Sequence, residues 1–338
     1  MLTSPVLSLL VALLVPQAPF AWTLQTSGVT ARLRGVSAAS ANVVWASGTE
    51  GTVIRTENGG KTWRRAIVPD AEKLDFRDID AVDERTAYVL SIGNGDASRI
   101  YKTSDAGATW TLQFRNDDPK AFFDAMAFRD ARHGFAFSDS IDGKFIILET
   151  ENGGASWTRI PVDRLTPALP GEGAYAASGS NVVVRGHRVW IATTASRVLR
   201  SLDGGRSWAV AQTPVVTGPS AGIFSVAFAD DSNGIVVGGD YEQATLAIEN
   251  AALTEDGGRT WTMVEGLSGY RSAVANVPGL QGALVAVGPS GSDISTDGGK
   301  TWKAVIGPGF HAISFAPRSR IAWAVGEKGS VGRLAVSE

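Results

Sequence analysis

The sequence contains no cysteine, so neither a disulfide framework nor thiolate chemistry is available to the protein. It also lacks a strong charge of either sign, because 34 acidic and 31 basic residues give a net charge of −3. No overall field therefore attracts nucleic acid or an acidic lipid surface, and any anion site must be local. No helical periodicity or low-complexity tract is present, which excludes a coiled coil and an extended disordered region.

Residues typical of cofactor and metal chemistry are also scarce. The three histidines, His133, His187 and His311, lie far apart and without the spacing of metal ligands. No glycine-rich phosphate loop follows a strand and opens a helix, and no nucleophile elbow surrounds a serine. We therefore expect neither a metal nor a cofactor.

The first 21 residues carry no charge and include an apolar run at 6–15, followed by a stretch at 16–21 that ends in the small residue Ala21. This pattern is typical of an export signal, and the run is too short to span a membrane as a stable helix. We predict a cleaved signal at 1–21, a mature chain at 22–338 in the periplasm or outside the cell, and no membrane insertion after cleavage. An incorrect start and an uncleaved anchor are the alternatives.

The dominant feature that is present is an eight-residue pattern, first seen at 56–63, which occurs six times. It reads Ser/Thr, any, Asp/Asn, any, Gly, any, Ser/Thr, Trp. Each fixed position suits a tight turn between strands, because the Asp or Asn side chain accepts backbone hydrogen bonds and Gly tolerates positive φ. We interpret the six copies as structural, with the fixed acid or amide and tryptophan at Asn58 and Trp63, Asp105 and Trp110, Asn152 and Trp157, Asp203 and Trp208, Asp256 and Trp261, and Asp297 and Trp302.

Successive pattern tryptophans are 47, 47, 51, 53 and 41 residues apart, close to the period of a four-stranded propeller blade. After Trp302 the chain supplies three more strand-like runs but no fourth. At the other end, Trp-Thr-Leu-Gln at 22–25 is identical to 110–113, the strand that follows the second pattern. We therefore predict one all-β domain, a seven-bladed β-propeller of four-stranded antiparallel blades, in which the N-terminal strand completes the last blade. Six or eight blades are the alternatives.

Antiparallel connectivity places the pattern turns on one face and the starts of the first strands on the other. We read those starts as Arg34, Arg77, Asp124, Tyr175, Ser225, Arg271 and His311. Arg34, Arg77 and Arg271 would form a local anion site. Further binding candidates are His311, Glu172, Tyr175, Asp240 and Tyr241. In a second interpretation the arginines pair with Asp78, Asp124 and Asp240 and only hold the ring together.

The six turns resemble the Asp-box, or BNR, repeat of sialidases, xyloglucan-type hydrolases, sortilin-like receptors and photosystem II assembly factors. The stretches at 76–79, 174–179 and 225–228 resemble the photosystem II stability/assembly factor-like family of bacteria. This resemblance implies a non-enzymatic propeller that binds a protein or protein segment. We expect the partner to bind at the channel mouth, on the face opposite the turns, and the propeller to be a monomer. Its role would be to assist the assembly or stability of a larger complex.

The resemblance to sialidases leaves an enzymatic alternative, a glycoside hydrolase acting on an extracytoplasmic glycan. Arg34, Arg77 and Arg271 could imitate the sialidase arginine triad, and Asp124, Asp240 and Tyr241 are the catalytic candidates. However, the Phe-Arg-Ile-Pro-type motif is absent from the N-terminal region, where Ala-Arg-Leu-Arg-Gly stands at 31–35. Sialidases use six blades, and xyloglucan-type hydrolases form their cleft between two propellers.

Overall fold

The computed structural model describes residues 20–336, which form β-strands joined by turns and four short 3₁₀ segments. The strands are arranged in seven antiparallel sheets of four, and in six of these sheets neighbouring strands follow one another in the chain. The first strands of neighbouring sheets contact one another in a closed ring. The predicted all-β, seven-bladed propeller is therefore confirmed. No helix in the described part of the chain is long and apolar enough to cross a membrane.

Six blades are built from consecutive strands. Those of blades 1 to 3 are Leu33–Ala38, Val44–Gly48, Thr52–Thr56 and Arg64–Arg65; Asp75–Ala81, Ala87–Ile92, Arg99–Thr103 and Thr111–Arg115; and Phe123–Phe128, Gly134–Ile141, Lys144–Thr150 and Thr158–Arg159. Those of blades 4 to 6 are Val182–Arg185, Arg188–Ala192, Arg197–Ser201 and Ala209–Gln212; Ala221–Phe228, Gly234–Asp240, Ala251–Thr254 and Thr262–Val264; and Ala273–Asn276, Leu284–Gly288, Gly291–Ser295 and Lys303–Val305. The 3₁₀ segments are Gly95–Ala97, Val162–Arg164, Tyr241–Gln243 and Glu327–Gly329.

Blade 7 joins the two ends of the chain. Its first three strands are Ala312–Phe315, Ile321–Val325 and Val331–Ala335, and its fourth is Trp22–Gln25. The closing ladder runs from Trp22 opposite Leu334 to Gln25 opposite Val331. The predicted closure by the N-terminal strand is therefore confirmed. The predicted export signal at 1–21 lies almost wholly outside the described residues, and the structure does not test it.

The six Asp-box turns have the geometry that their residues dictate. In the first, Thr56 Oγ1 accepts a hydrogen bond from the Gly60 amide at 3.0 Å, and Asn58 Oδ1 accepts one from the Thr62 amide at 2.9 Å. All six turns repeat these two bonds. Gly60 has φ of +85°, which favours glycine. The Gly59 amide donates to Asn42 O, which places this turn on the same face as the connection between the first two strands.

The apolar core lies between blades, and each Asp-box turn packs on the blade before it. One core cluster joins Trp45 of blade 1 to Phe76 and Trp110 of blade 2. The Trp45 and Trp110 rings meet edge to face at 5.9 Å. Trp190 Nε1 of blade 4 donates to Gly257 O in the Asp-box turn of blade 5 at 3.0 Å. The aromatic side chains of the second strands thus fasten neighbouring blades together.

The Asp-box aspartates predict a defined acid sensitivity. The hydroxyl and amide of Thr109 lower the pKa of Asp105 to about 2, and Thr301 does the same for Asp297. Because these folded-state pKa values lie below the unfolded value of about 3.9, the carboxylates stabilise the fold above pH 4. That contribution is lost as the pH falls from about 4 towards 2. The double variant D105N/D297N should therefore lose fewer degrees of Tm between pH 5 and pH 2.5, measured by circular dichroism.

Asparagine is compatible with this turn, because Asn58 and Asn152 occupy the same position in two of the six copies. A matched double variant at the exposed residues Asp117 and Asp163, both changed to Asn, should keep the acid dependence of the unmodified protein. Identical pH profiles for all three proteins would show that the turn carboxylates do not contribute in this way.

Candidate functional site

The first strands of four blades carry a β-bulge at the same place. The pairing with the second strand skips one residue between Leu33 and Gly35, between Phe76 and Asp78, between Phe123 and Ala125, and between Ile223 and Ser225. A bulge leaves one residue unpaired and re-aims its side chain. The four unpaired residues are Arg34, Arg77, Asp124 and Phe224, and all four line one cavity at the channel mouth.

The cavity has a volume of about 560 Å³ and lies on the face opposite the Asp-box turns. Its walls differ in chemistry around the ring. Blades 7, 1 and 2 supply a basic wall, which consists of His311, Arg32, Arg34 and Arg77. Blade 3 supplies a carboxyl pair, Asp124 and Asp139, and blades 4 to 6 supply an aromatic wall of Tyr175, Phe224, Tyr241 and Tyr270. The structure thus brings together six of the candidates named from the sequence, namely Arg34, Arg77, Asp124, Tyr175, Tyr241 and His311.

A segment of blade 4, residues 174–180, reaches from its own blade to blades 1, 2 and 6. We call it the plug segment. Arg34 Nε donates to Ala177 O at 3.0 Å, and Arg77 Nη1 donates to Ala176 O at 2.8 Å. Ser178 Oγ donates to Ser272 O at 2.8 Å. These bonds fix the two guanidinium groups against the backbone of the plug segment.

The basic wall keeps its positive charge. Burial lowers the pKa of Arg34 to about 10, and the neighbouring Arg77 contributes in the same direction, so Arg34 remains charged at neutral pH. Arg77 also forms an ion pair with Asp75 at 2.8 Å. Burial and the nearby Arg34 lower the pKa of His311 to about 4, so its imidazole is neutral at pH 7. His311 Nε2 lies 2.9 Å from Glu327 Oε1.

The carboxyl pair consists of Asp124 and Asp139. Asp124 is only 1% exposed, both of its carboxyl oxygens are closed off from solvent, and its hydrogen-bonding neighbour is Asp139. Burial, and after it the neighbouring Asp139, raises the pKa of Asp124 well above its ordinary value. Asp139 is partly exposed, its Oδ1 accepts from the Ala174 amide at 3.1 Å, and burial raises its pKa as well.

The aromatic wall is built around Phe224. Tyr175 stacks on Phe224 at 3.9 Å with an interplanar angle of 4°, and Tyr270 meets the same ring edge to face at 4.6 Å. Tyr241 stands edge-on to both Tyr175 and Phe224, at 6.2 and 6.1 Å. Because 46% of Tyr241 is exposed, this wall offers apolar ring surface to a ligand.

The structure corrects the placement of Arg271 and Ser225. Arg271 is fully buried, with Nε 2.6 Å from Asp293 Oδ2 and Nη1 3.0 Å from Ser290 Oγ, so it cannot reach a ligand in the cavity. Ser225 is also fully buried, and its Oγ accepts from the Val274 amide at 3.0 Å. In a strand, a shift of one residue turns a side chain to the other face.

Two further candidates have structural contacts instead of a place in the cavity. Glu172 is buried in an ion pair with Arg197 and accepts from Thr193 Oγ1 at 2.6 Å, which holds the connection between blades 3 and 4. Asp240 accepts from the Glu242 amide at 2.9 Å and caps the 3₁₀ segment Tyr241–Gln243. Of the three catalytic candidates, only Asp124 and Tyr241 line the cavity.

The sequence did not identify Phe224, Tyr270 and Phe122 as cavity residues. Phe224 could have been identified, because residues 223–225 pair with the second strand of their blade in the same register as residues 76–78. Phe224 therefore occupies the place that Arg77 occupies in blade 2. Aligning the two strands by their buried residues would have selected Phe224 in place of Ser225. Nothing in the sequence indicated that Asp139, from the second strand of blade 3, would lie beside Asp124.

The family model for the BNR/Asp-box repeat matches residues 293–304, the sixth turn and its flanks. Six turns of this geometry lie on the seven blades of the described chain. It is a seven-bladed β-propeller with Asp-box repeats. A search of curated protein sequences gives no match to it.

Solved structures of similar fold belong to proteins of different function. "YCF48 bound to D1 peptide" matches with a TM-score of 0.68 at 15% identity, over 96% of this chain and 99% of that one. YCF48 from Cyanidioschyzon merolae gives 0.66 at 18% identity, over 93% and 98%. The GH74 xyloglucanase from Xanthomonas campestris gives 0.64 at 17%, over 92% of this chain but 53% of the enzyme, so the propeller spans about half of it. At these identities the likeness shows the fold alone.

Proposed function

We propose that this propeller binds a segment of a partner protein in the channel-mouth cavity and thereby assists the assembly or stability of a larger complex. The observation that carries the proposal is the arrangement of Arg34 and Arg77, both on bulges, opposite the rings of Phe224 and Tyr241 in one cavity. A carboxylate of the segment would pair with the arginines. A neighbouring apolar side chain would pack on the rings.

The two arginines are suited to this role because their own contacts leave donors free. A guanidinium offers five N–H donors. Arg34 uses Nε on Ala177 O, and no Nη bond of Arg34 is found among the described residues. Arg77 uses Nε on Asp75 and Nη1 on Ala176 O, which leaves Nη2. The plug segment therefore pre-orients both groups, which lowers the entropic cost of binding.

The comparison with YCF48 supports a peptide ligand, since one propeller of the same fold is seen with a peptide bound. The xyloglucanase match gives weaker support to a hydrolase. Glycoside hydrolysis needs two carboxyl groups that reach the substrate, and both oxygens of Asp124 are closed off from solvent. We therefore propose no enzymatic function.

We also propose that the protein acts outside the cytoplasm, because residues 1–21 have the composition of an export signal. We propose in addition that it acts as a monomer. N-terminal sequencing of the protein recovered from its host would check this location, and a chain that still begins at Met1 would contradict cleavage. Light scattering of the purified protein would measure its mass in solution.

The proposed site predicts that the double variant R34Q/R77Q loses peptide binding. A displayed library of random peptides, selected on the unmodified protein, should enrich sequences in which a carboxylate adjoins an apolar residue. Two charge-assisted hydrogen bonds at about 1.5–3 kcal/mol each correspond to at least a hundredfold loss of affinity in the variant. Titration calorimetry with an enriched synthetic peptide measures the loss.

The matched control is R115Q/R159Q, which removes two exposed arginines from the fourth strands of blades 2 and 3. This control should bind the peptide as the unmodified protein does. Equal binding by R34Q/R77Q, with an unchanged circular dichroism spectrum, would exclude Arg34 and Arg77 as ligand contacts. A selection that enriches no peptide would contradict the proposed function itself.

A further inference from the structure

We infer that Nδ1 of His311 accepts a hydrogen bond from a backbone N–H group of the bound segment, beside the carboxylate that the arginines hold. This inference rests on the proposed function, because it assumes that the cavity holds a protein segment. It makes His311 a residue that determines specificity, and it adds a hydrogen-bond donor to the groups that the segment must supply.

The first reason is the tautomer of His311. Its Nε2 lies 2.9 Å from Glu327 Oε1, and Arg32 Nε lies 2.9 Å from the same oxygen. Burial raises the pKa of Glu327, but the contacts with His311 and Arg32 outweigh burial and hold this pKa below its ordinary value. Because the ionised carboxylate only accepts hydrogen bonds, Nε2 must carry the proton. Nδ1 of the neutral ring is then an acceptor.

The second reason is that Nδ1 has no partner and can be reached from the cavity. His311 lines the cavity, and no donor to its Nδ1 is found among residues 20–336. The ring as a whole is 7% exposed, but Nδ1 is not one of the unpaired side-chain atoms that the fold closes off from solvent. Polar atoms in such surroundings are rarely left without a hydrogen bond. A ligand in the cavity can therefore supply the missing donor.

The third reason is that the fold holds His311 in this orientation. Its amide donates to Val325 O at 2.7 Å, and its carbonyl accepts from Ser272 Oγ at 2.6 Å. Together with the bond from Nε2 to Glu327, these contacts fix the backbone and the ring before a ligand arrives. An acceptor that is already oriented costs little entropy on binding.

The position of His311 indicates which donor reaches it. Arg34 lies near enough for its charge to contribute, after burial, to the lowered pKa of His311. A carboxylate bound to the Nη groups of Arg34 would therefore lie beside the imidazole. A second carboxylate at Nδ1 would meet a lone pair and be repelled. A backbone N–H is the donor that every residue except proline carries next to its side chain.

The tautomer can be measured without a ligand. Long-range ¹⁵N–¹H correlation spectra distinguish a protonated ring nitrogen from an unprotonated one, and the chain has only three histidines. At pH 8 we expect His311 to carry its proton on Nε2. His133 is a control in the same spectrum, because its Nδ1 lies 2.8 Å from Asp130 Oδ1 and should carry the proton instead. A proton on Nδ1 of His311 would overturn the inference.

The contact itself is tested with a peptide enriched on the unmodified protein. In a series of copies, each backbone N–H is replaced in turn by an ester oxygen, which cannot donate. One replacement should weaken binding about tenfold, because a hydrogen bond is exchanged for a repulsive contact with Nδ1. In H311F, which keeps a flat ring but has no acceptor, the same replacement should cost no more than the others.

The matched control is H187F, which makes the same change at an exposed histidine on the Asp-box face. This variant should keep the selective loss in full. Asparagine places an amide oxygen close to the position of Nδ1, so H311N should keep part of the loss. Partial rescue by H311N would not be expected if His311 were merely a packing residue.

The library selection gives a further readout, because proline has no N–H. Peptides enriched on the unmodified protein should lack proline at the position found with the ester series. Peptides enriched on H311F should accept proline at that position. Equal proline frequencies in the two selections would contradict the inference.

The outcomes separate this inference from the proposed function. If all ester replacements cost the same, or if H311F keeps the selective loss, the inference is overturned. The arginine site still stands in that case, provided that R34Q/R77Q loses peptide binding. If the selection enriches no peptide, the proposed function is contradicted and this inference falls with it.

Discussion

Replacing Arg271 by methionine is expected to lower the free energy of unfolding by about 3–5 kcal/mol, because it leaves a buried charge without a partner. Arg271 and Asp293 are both fully inaccessible, and their ion pair measures 2.6 Å. Asp293 would keep only its bonds from Ser268, whose amide and hydroxyl donate at 3.2 and 2.8 Å. Urea titration followed by tryptophan fluorescence measures the change.

The double variant R271M/D293N removes both charges and should be less destabilised than the sum of R271M and D293N. The control is R188M, which breaks a solvent-exposed ion pair with Asp231 at 3.1 Å and should cost less than about 1 kcal/mol. If R271M costs no more than R188M, the interpretation of Arg271 as a structural residue of blade 6 is wrong.

Deletion of residues 22–25 is expected to lower Tm by about 10 °C or more and to promote self-association. The strand Trp22–Gln25 supplies the outer edge of blade 7, and the Trp22 ring lies 4.8 Å from Phe310. Gln25 Nε2 also donates to Gly59 O at 3.1 Å and so joins blade 7 to the first Asp-box turn. Losing several kcal/mol shifts Tm by this amount in a domain of this size. The strand Val331–Ala335 would become an exposed edge.

Thermal unfolding and light scattering measure the two effects. A synthetic peptide of residues 20–28 added to the deleted protein should restore part of the lost Tm and suppress association. The same peptide with Trp22→Ala should restore less, because the contacts with Phe310 and Ser292 are missing. A deleted protein that melts like the full chain would show that closure of the ring does not depend on this strand.

Most of the architecture could be predicted because it repeats. The six copies of the turn pattern, from the one with Asn58 and Trp63 to the one with Asp297 and Trp302, showed that six blades carry an Asp-box turn. The identity of residues 22–25 with residues 110–113 indicated the strand that closes the ring. Each of these features depends on short-range chemistry, such as the positive φ of Gly60 and the hydrogen bond that the Asn58 side chain accepts from the Thr62 amide. Local rules of this kind act before any tertiary contact forms.

The cavity was predictable only in part. Arg34, Arg77, Asp124 and His311 were predictable as cavity residues from their equivalent places at the starts of the first strands, but the same prediction at Ser225 was wrong by one residue. The prediction of Arg271 as a cavity residue was also wrong, because this charged residue occupies an interior position. Arg271 occupies the same place in blade 6 as the fully buried residues Leu33 and Phe310 do in blades 1 and 7. In all three blades the amide of this residue donates a hydrogen bond to a glycine carbonyl of the preceding blade, namely Gly238 O, Gly326 O and Gly288 O, respectively.

By itself the sequence determined the repeat, the blade number, the closure and the face occupied by the Asp-box turns, since each follows from residues close together in the chain. Only the tertiary structure decided which side chains enter the cavity. The β-bulges turn Arg34, Arg77, Asp124 and Phe224 towards the channel mouth, and a bulge changes the register without changing the hydrophobic pattern. The pairing of Asp124 with Asp139, and the burial of Arg271 against Asp293, likewise depend on strands that meet only when the blades are formed.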